Sequence, residues 1–90
     1  MMSDSALPPL VLIEWEDSAQ PVPDWQYLAD IGECEIVRCQ SVGFLIHDGE
    51  HVKALAPNVG DLGDKHAQAS GLMRIPARCV TRIVPLRAGD

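Results

Sequence analysis

Aromatic side chains are almost missing from this chain of 90 residues: Trp15, Trp25, Tyr27 and Phe44 are all of them. Such residues bury more surface than any other type and dominate most cores. Without them a core has to be assembled from Val, Ile, Leu and Ala, and it is thin. Small domains with thin cores are commonly supplemented by oligomerisation, a disulfide or a metal. The first 35 residues also lack any Lys or Arg. No apolar run approaches the roughly 20 residues of a membrane-crossing helix. The early run Leu10–Ile13 is too short for a signal-peptide core and has no basic residue before it. Cysteines are few and odd in number, Cys34, Cys39 and Cys79. The expectation is a protein of the reducing cytoplasm with free thiols.

What is present describes one small domain. A chain this short buries only about two-thirds of its unfolded surface. Apolar residues nevertheless make up 47% of it, which excludes wholesale disorder. The net charge of −6 is unevenly spread. Residues 1 to 35 hold eight acids (Asp4, Glu14, Glu16, Asp17, Asp24, Asp30, Glu33, Glu35), whereas residues 36 to 90 hold all seven bases against five acids. Arg74, Arg78, Arg82 and Arg87 follow one another with no acid until Asp90.

Residues 1–9, small and polar with a Pro-Pro stop, read as a flexible arm, and the domain spans 10–87. "LVLIEWED" (10–17) alternates like a strand. Pro21 and Pro23 cannot donate to a ladder and end it. "DWQYLADIG" (24–32) reads as one short helix: Asp24 can cap it, Trp25, Leu28 and Ile31 share a face, and Gly32 stops it. From Cys34 onward the pattern is β. "CEIVRCQSVGFLI" (34–46) is long for a flat strand, and its interior Gly43 implies a bulge or sharp bend. Asp48-Gly49 between two β-prone runs is a strong hairpin signal, so residues 44–56 are expected to form an antiparallel hairpin. "NVGDLGDKHAQ" (58–68) reads as a polar loop. "ASGLMRIP" (69–76) and "CVTRIVPL" (79–86) are the last two strands, joined by a tight 3₁₀ turn at 76–78.

Candidate chemistry is sparse. His47 and His51 flank the hairpin turn and could share a cation with Asp48 or Glu50, but a solvated turn is the favoured reading. Cys34 and Cys39 lack the second ligand pair of a structural zinc site; Cys39 and Cys79 read as small buried hydrophobes. Asp61 and Asp64 lie in a glycine-rich loop without the alternating oxygens a calcium loop needs. No nucleophile elbow, phosphate-cradling glycine loop or paired-carboxylate motif accompanies the cysteines and histidines. The expectation is a non-enzyme with no cofactor and no metal.

Five strands, one bent, with a 3₁₀ turn before the last, resemble the small SH3-like barrels and, within them, the Sm-like fold. The fold expected is mainly β: a small five-stranded SH3-like/Sm-like barrel with one short helix between the first two strands. "ARCVTRIVPLR" is similar to the end of the bacterial Sm-like RNA chaperones. Those carry an aromatic-basic-histidine tripeptide just before this strand, where the present chain has Pro76, Ala77 and Arg78, so their RNA-binding residues do not carry over. "LIEWEDS", "RCQSVGFLIHDGEHVKALAPN" and "QASGLMRIPARCVTRIVPL" together resemble a group of small phage and prophage proteins of unknown function. That resemblance implies a setting, a bacterial virus or integrated prophage and with it a bacterial host cytoplasm, and it assigns no activity.

Two classes of function follow. The first is an oligomeric assembly or interaction module, a homo-oligomer or a partner of another phage or host protein. "FLI" (44–46) needs cover on both strand faces, which a neighbouring subunit or the short helix around Trp25 and Leu28 could supply. The second is a nucleic-acid binder using an arginine stripe, Arg74, Arg78 and Arg82. The acidic net charge and the absence of aromatics among those arginines count against it. A membrane partner is not expected. Phe44, Ile46 and Trp25 join the three arginines as the candidate interaction surface. In the first class, the acids of residues 14 to 35 should neutralise the arginines.

Overall fold

A computed structural model describes residues 7–19 and 21–89. β1 is Leu10–Asp17, the stretch the alternation singles out. Val11 and Ile13 turn inward and are buried, while Glu14 and Glu16 stand on the other face. β2, Val37–Asp48, is 12 residues long and serves two partners. Its first part pairs antiparallel with β1, from Val37↔Asp17 to Phe44↔Leu10. Its end pairs antiparallel with β3, Val52–Ala56, from Phe44↔Ala56 to Asp48↔Lys53. The hairpin expected over 44–56 is therefore present.

Gly43 sits just before the changeover. A Cβ there would stand 3.0 Å from the carbonyl oxygen of Ala56, tighter than nine in ten such contacts, so the facing backbone would have to give way. Glycine is needed because the backbones of β2 and β3 cross closely. The bulge itself lies elsewhere, in the register shift between Leu45 and His47, with Ile46 as the extra residue. Cross-strand charge closes the hairpin: the Lys53 ammonium pairs with the Asp48 carboxylate directly opposite.

The remaining strands are β4 (Asn58–Gly60), β5 (Gln68–Ser70), β6 (Met73–Pro76) and β7 (Val80–Pro85). β4 and β5 pair as a separate two-stranded sheet, β4 inside the segment read as a loop and β5 across its end, so the single strand expected over 69–76 is two strands, β5 and β6. Strands of three residues are too short to show an alternation, which is why the pattern missed them. The main sheet has the order β6-β3-β2-β1-β7. In a flat sheet its two edges would lie about 19 Å apart. The 3₁₀ turn Ala77–Cys79 is the whole connection between them, and a link of that length reaches about 14 Å at most. The sheet must curl. It does not close, because β6 and β7 share no ladder. The expected barrel is thus realised as a curled, open, five-stranded antiparallel sheet.

The core lies inside the curl: Val11, Ile13, Leu55 and Ile75 are buried, and Trp15, Leu45, Met73, Cys79, Val80 and Ile83 pack around them. Among the described residues no polar side chain is buried. Where β7 slips against β1 between Glu14 and Trp15, Thr81 is the extra residue, and its hydroxyl donates to the Glu14 carbonyl at 3.1 Å. The ladder bond lost to the bulge is replaced by a side chain.

The short helix is corrected. Residues 24–32 contain only a 3₁₀ turn, Leu28–Asp30, capped by Tyr27 without a side-chain hydrogen bond. Trp25, Leu28 and Ile31 are exposed, so the apolar face has nothing to dock on. A helix of two turns is unstable without tertiary packing. Pro9 joins the sheet, its carbonyl accepting from the Leu45 N–H at 2.8 Å. Residues 1–6 of the expected flexible arm fall outside the described residues.

Gly43→Ala should destabilise the fold by about 1–3 kcal/mol, as overpacking against backbone does. Gly32→Ala meets no atom within 4 Å and should shift stability by less than about 0.5 kcal/mol. Urea unfolding of the two variants beside the parent checks the contrast.

Candidate interaction surface

β7 leaves β1 at the pair Trp15↔Val80. Beyond it, Glu16 and Asp17 pair only with Arg38 and Val37. The β1–β2 ladder thus projects past the body as a two-stranded ribbon with residues 18–36 at its tip. The molecule measures 63 × 27 × 26 Å, far from the rounded shape of a small domain.

This arm has an unusual make-up for a solvent-facing segment. All residues from 21 to 36 are exposed. Among them are Trp25 at 103%, Leu28 at 87% and Tyr27 at 83%, together with Val22, Ile31 and Ile36. Asp24, Asp30, Glu33 and Glu35 are interspersed, and no base is present. Removing one large apolar side chain from water contributes about 1.5–3 kcal/mol, so the arm holds a substantial unused driving force. Pro21 and Pro23 keep its first part out of any ladder. Acidity keeps it soluble.

The body carries the other candidates. Arg82 lies opposite Glu14 in the β1–β7 register, and its Nη2 meets Glu14 Oε1 at 3.1 Å. Gln40 Nε2 donates to the same carboxylate oxygen at 3.5 Å. The pair is exposed, worth at most about 1 kcal/mol, and sets orientation more than stability. Arg74 on β6 and Arg78 in the 3₁₀ turn are exposed, and among the described residues neither forms an ion pair. The acidic segment therefore neutralises one arginine of the stripe within the chain. Phe44 is half-buried between Leu10 and Ala56 in the register. Ile46 remains 40% exposed and lines an apolar depression of about 270 Å³ with Val59, Leu62 and Ala69. Trp25 lies on the arm. The six residues do not converge on one site; they divide between an acidic arm and a body with a basic corner.

Two features escaped the sequence reading. One is this depression, built partly by the short β4–β5 hairpin. The other is a groove of about 480 Å³ between β1 and β2, lined by Glu14, Trp15, Glu16, Arg38 and Cys39. Beside it Trp15 Nε1 donates to Ser41 Oγ at 3.0 Å, and Glu16 lies opposite Arg38 in the register. Cys39 Sγ donates to the Val37 carbonyl at 3.8 Å, and no histidine lines the groove.

His47 lies at the end of β2 with its imidazole over Gly49, where a Cβ would be 2.4 Å from Nε2, while His51 belongs to the turn. Among the described residues, no three His, Cys, Asp or Glu side chains are grouped to hold a metal ion. Asp61 and Asp64 serve their loop: Asp61 accepts from Gln68 Nε2 at 3.1 Å and Asp64 from the His66 N–H at 2.9 Å. Cys34 is exposed, and Cys79 packs against the core as a small hydrophobe. Among the described residues no helix is long and apolar enough to cross a membrane. Compared with known proteins, the chain matches no family model, no curated protein and no solved structure.

Thermal melts with and without a strong chelator should superimpose. A fall of more than a few degrees with chelator would mean that a metal contributes to folding.

Proposed function

We propose that the protein is a non-enzymatic assembly or protein-interaction module that works as a homo-oligomer, in the bacterial cytoplasm of a phage or prophage setting. The observation that carries this reading is the arm. Trp25, Tyr27 and Leu28 stand in water on a segment with no packing partner among the described residues. Exposed apolar surface of that size marks an interaction site. Sequence reasoning left two covers for Phe44, Leu45 and Ile46, a helix of the same chain or a neighbouring subunit. The helix is absent, which favours the neighbour. We read the curled sheet as an open SH3-like barrel of Sm-like type, on its strand order and on the 3₁₀ turn before β7. Its β6 and β7 edges are unpaired, and such edges are templates for association.

The runner-up, an RNA-binding protein of the Sm-like kind, draws on Arg74 and Arg78, which have no acidic partner among the described residues. Pairing of Arg82 with Glu14 counts against a continuous basic stripe.

Light scattering at micromolar concentration should give a mass at least twice the 9.8 kDa of one chain. Adding single-stranded RNA near physiological salt should leave that mass unchanged. Arg78→Glu should alter oligomer state or stability. Micromolar RNA binding that weakens steeply with salt, and is lost in Arg78→Glu, would promote the runner-up instead.

A further inference from the structure

We infer that the acidic arm of one copy docks on the β6 edge and the adjoining 3₁₀ corner of a second copy, where Arg74 and Arg78 supply the opposing charge. The inference rests on the homo-oligomer reading and names the surfaces that meet.

The arm calls for a particular occupant. Its apolar side chains need an apolar surface, and Asp24, Asp30, Glu33 and Glu35 need cations beside it. Among the described residues its own chain brings one cation to it, Arg38, which lines a hollow with Glu35 at the arm's root; the β1–β2 ribbon carries the rest away from the curl and leaves every residue from 21 to 36 exposed. A segment that extends beyond its own domain can reach a neighbour.

The body offers one place with the complementary properties. Lys53 is committed to Asp48 and Arg82 to Glu14; Arg38 stands at the root of the arm itself, in a hollow with Glu35 and Ile36, and Lys65 and Arg87 lie off the strands. Arg74 and Arg78 are uncommitted, exposed, and only four positions apart on β6 and the turn that follows it. β6 is an edge strand, so one side of its backbone has no ladder partner among the described residues. Leu72, just before it, is 46% exposed and adds apolar surface. Cations, open backbone groups and an apolar side chain thus lie side by side. Ile31, directly after the 3₁₀ turn of the arm, has extended backbone with φ −74° and ψ 115°, a conformation that can lie along a strand edge. Glu50 shares the hollow around Arg78 with His51 and Pro76, so Arg74 carries the part of the contact with no acid nearby.

Four variants test this beside the parent, by light scattering over a dilution series and by tryptophan emission. Trp25→Ser with Leu28→Ser removes the apolar contact. Asp24→Lys with Asp30→Lys reverses the arm, and Arg74→Glu with Arg78→Glu reverses the edge. The fourth joins both reversals in one chain. Each of the first three should raise the dissociation constant about tenfold or more, and the fourth should recover most of that loss. Parent emission should shift to the blue on association as Trp25 leaves water, and the shift should vanish in the Trp25→Ser variant. All substituted residues are exposed, so melting temperatures should stay close to the parent's; a variant that melts early is replaced by its single substitutions. A parent that remains oligomeric while the first three variants keep its mass would overturn the arm-to-edge contact and leave the module reading standing. A parent that is monomeric throughout the series would overturn both.

Discussion

A single close approach between two strands governs the shape of the body. β2 must run beside β1 for eight residues and then beside β3, and the transfer happens where Gly43 crosses the backbone of Ala56. Any side chain at that point would push the strands apart, because the atom it meets is a carbonyl oxygen and cannot move away as a flexible side chain would. The bulge at Ile46 completes the turn-over begun at Gly43. Together they aim β3, and with it β6, around the core instead of outward in a flat sheet. Ile75 can then meet Ile13 in one cluster although their strands are three positions apart in the order.

From that curl follows the economy of the core. Among the described residues, four buried branched side chains, two buried alanines and a ring of half-buried residues make up the apolar interior, and none is Phe or Tyr. The aromatics are spent differently. Trp15 sits at the rim with its indole N–H satisfied by Ser41, Phe44 is at the changeover, and Trp25 and Tyr27 are outside altogether. A chain short of large apolar side chains places two of its four aromatics in solvent. Folding alone gains nothing from that placement; association does.

How far the residues disclosed this depends on the distance over which each signal acts. β1, β3 and β7 were legible because alternation and turn chemistry are local, and Asp48-Gly49 placed the hairpin correctly. The 3₁₀ turn before β7 followed from the spacing of Pro76 and Cys79. The helix over 24–32 was misread because the spacing of Trp25, Leu28 and Ile31 states which face would be buried, not whether anything exists to bury it against. The bulge at Ile46 leaves no mark in composition, and Gly43 drew the irregularity to itself although its role is close approach. β4 and β5 are shorter than one period of any readable pattern. For the candidate surface, the charge asymmetry was visible along the chain, but the pairing of Glu14 with Arg82 depends on a contact between residues 68 positions apart. No local rule contains it.

That pairing also explains why the acidity divides in two. Glu14 and Glu16 lie on strands, where the register supplies a cation to each: Arg82 to the first, Arg38 to the second. Asp24, Asp30, Glu33 and Glu35 lie beyond the ladder, where no register exists to bring a base opposite. Carboxylates in water have no need of partners, so charge alone would leave the arm free. Its apolar side chains decide otherwise, because they are stabilised only by leaving water, and the acids then restrict which surface can receive them. A neutral apolar patch would desolvate four carboxylates without compensation, and an acidic one would repel them. The surface left is apolar with cations at its margin, and the contact we infer finds it at the end of β6 and the turn that follows it. Attraction supplied by Trp25, Tyr27 and Leu28 and selection supplied by the acids are separate functions of one short segment.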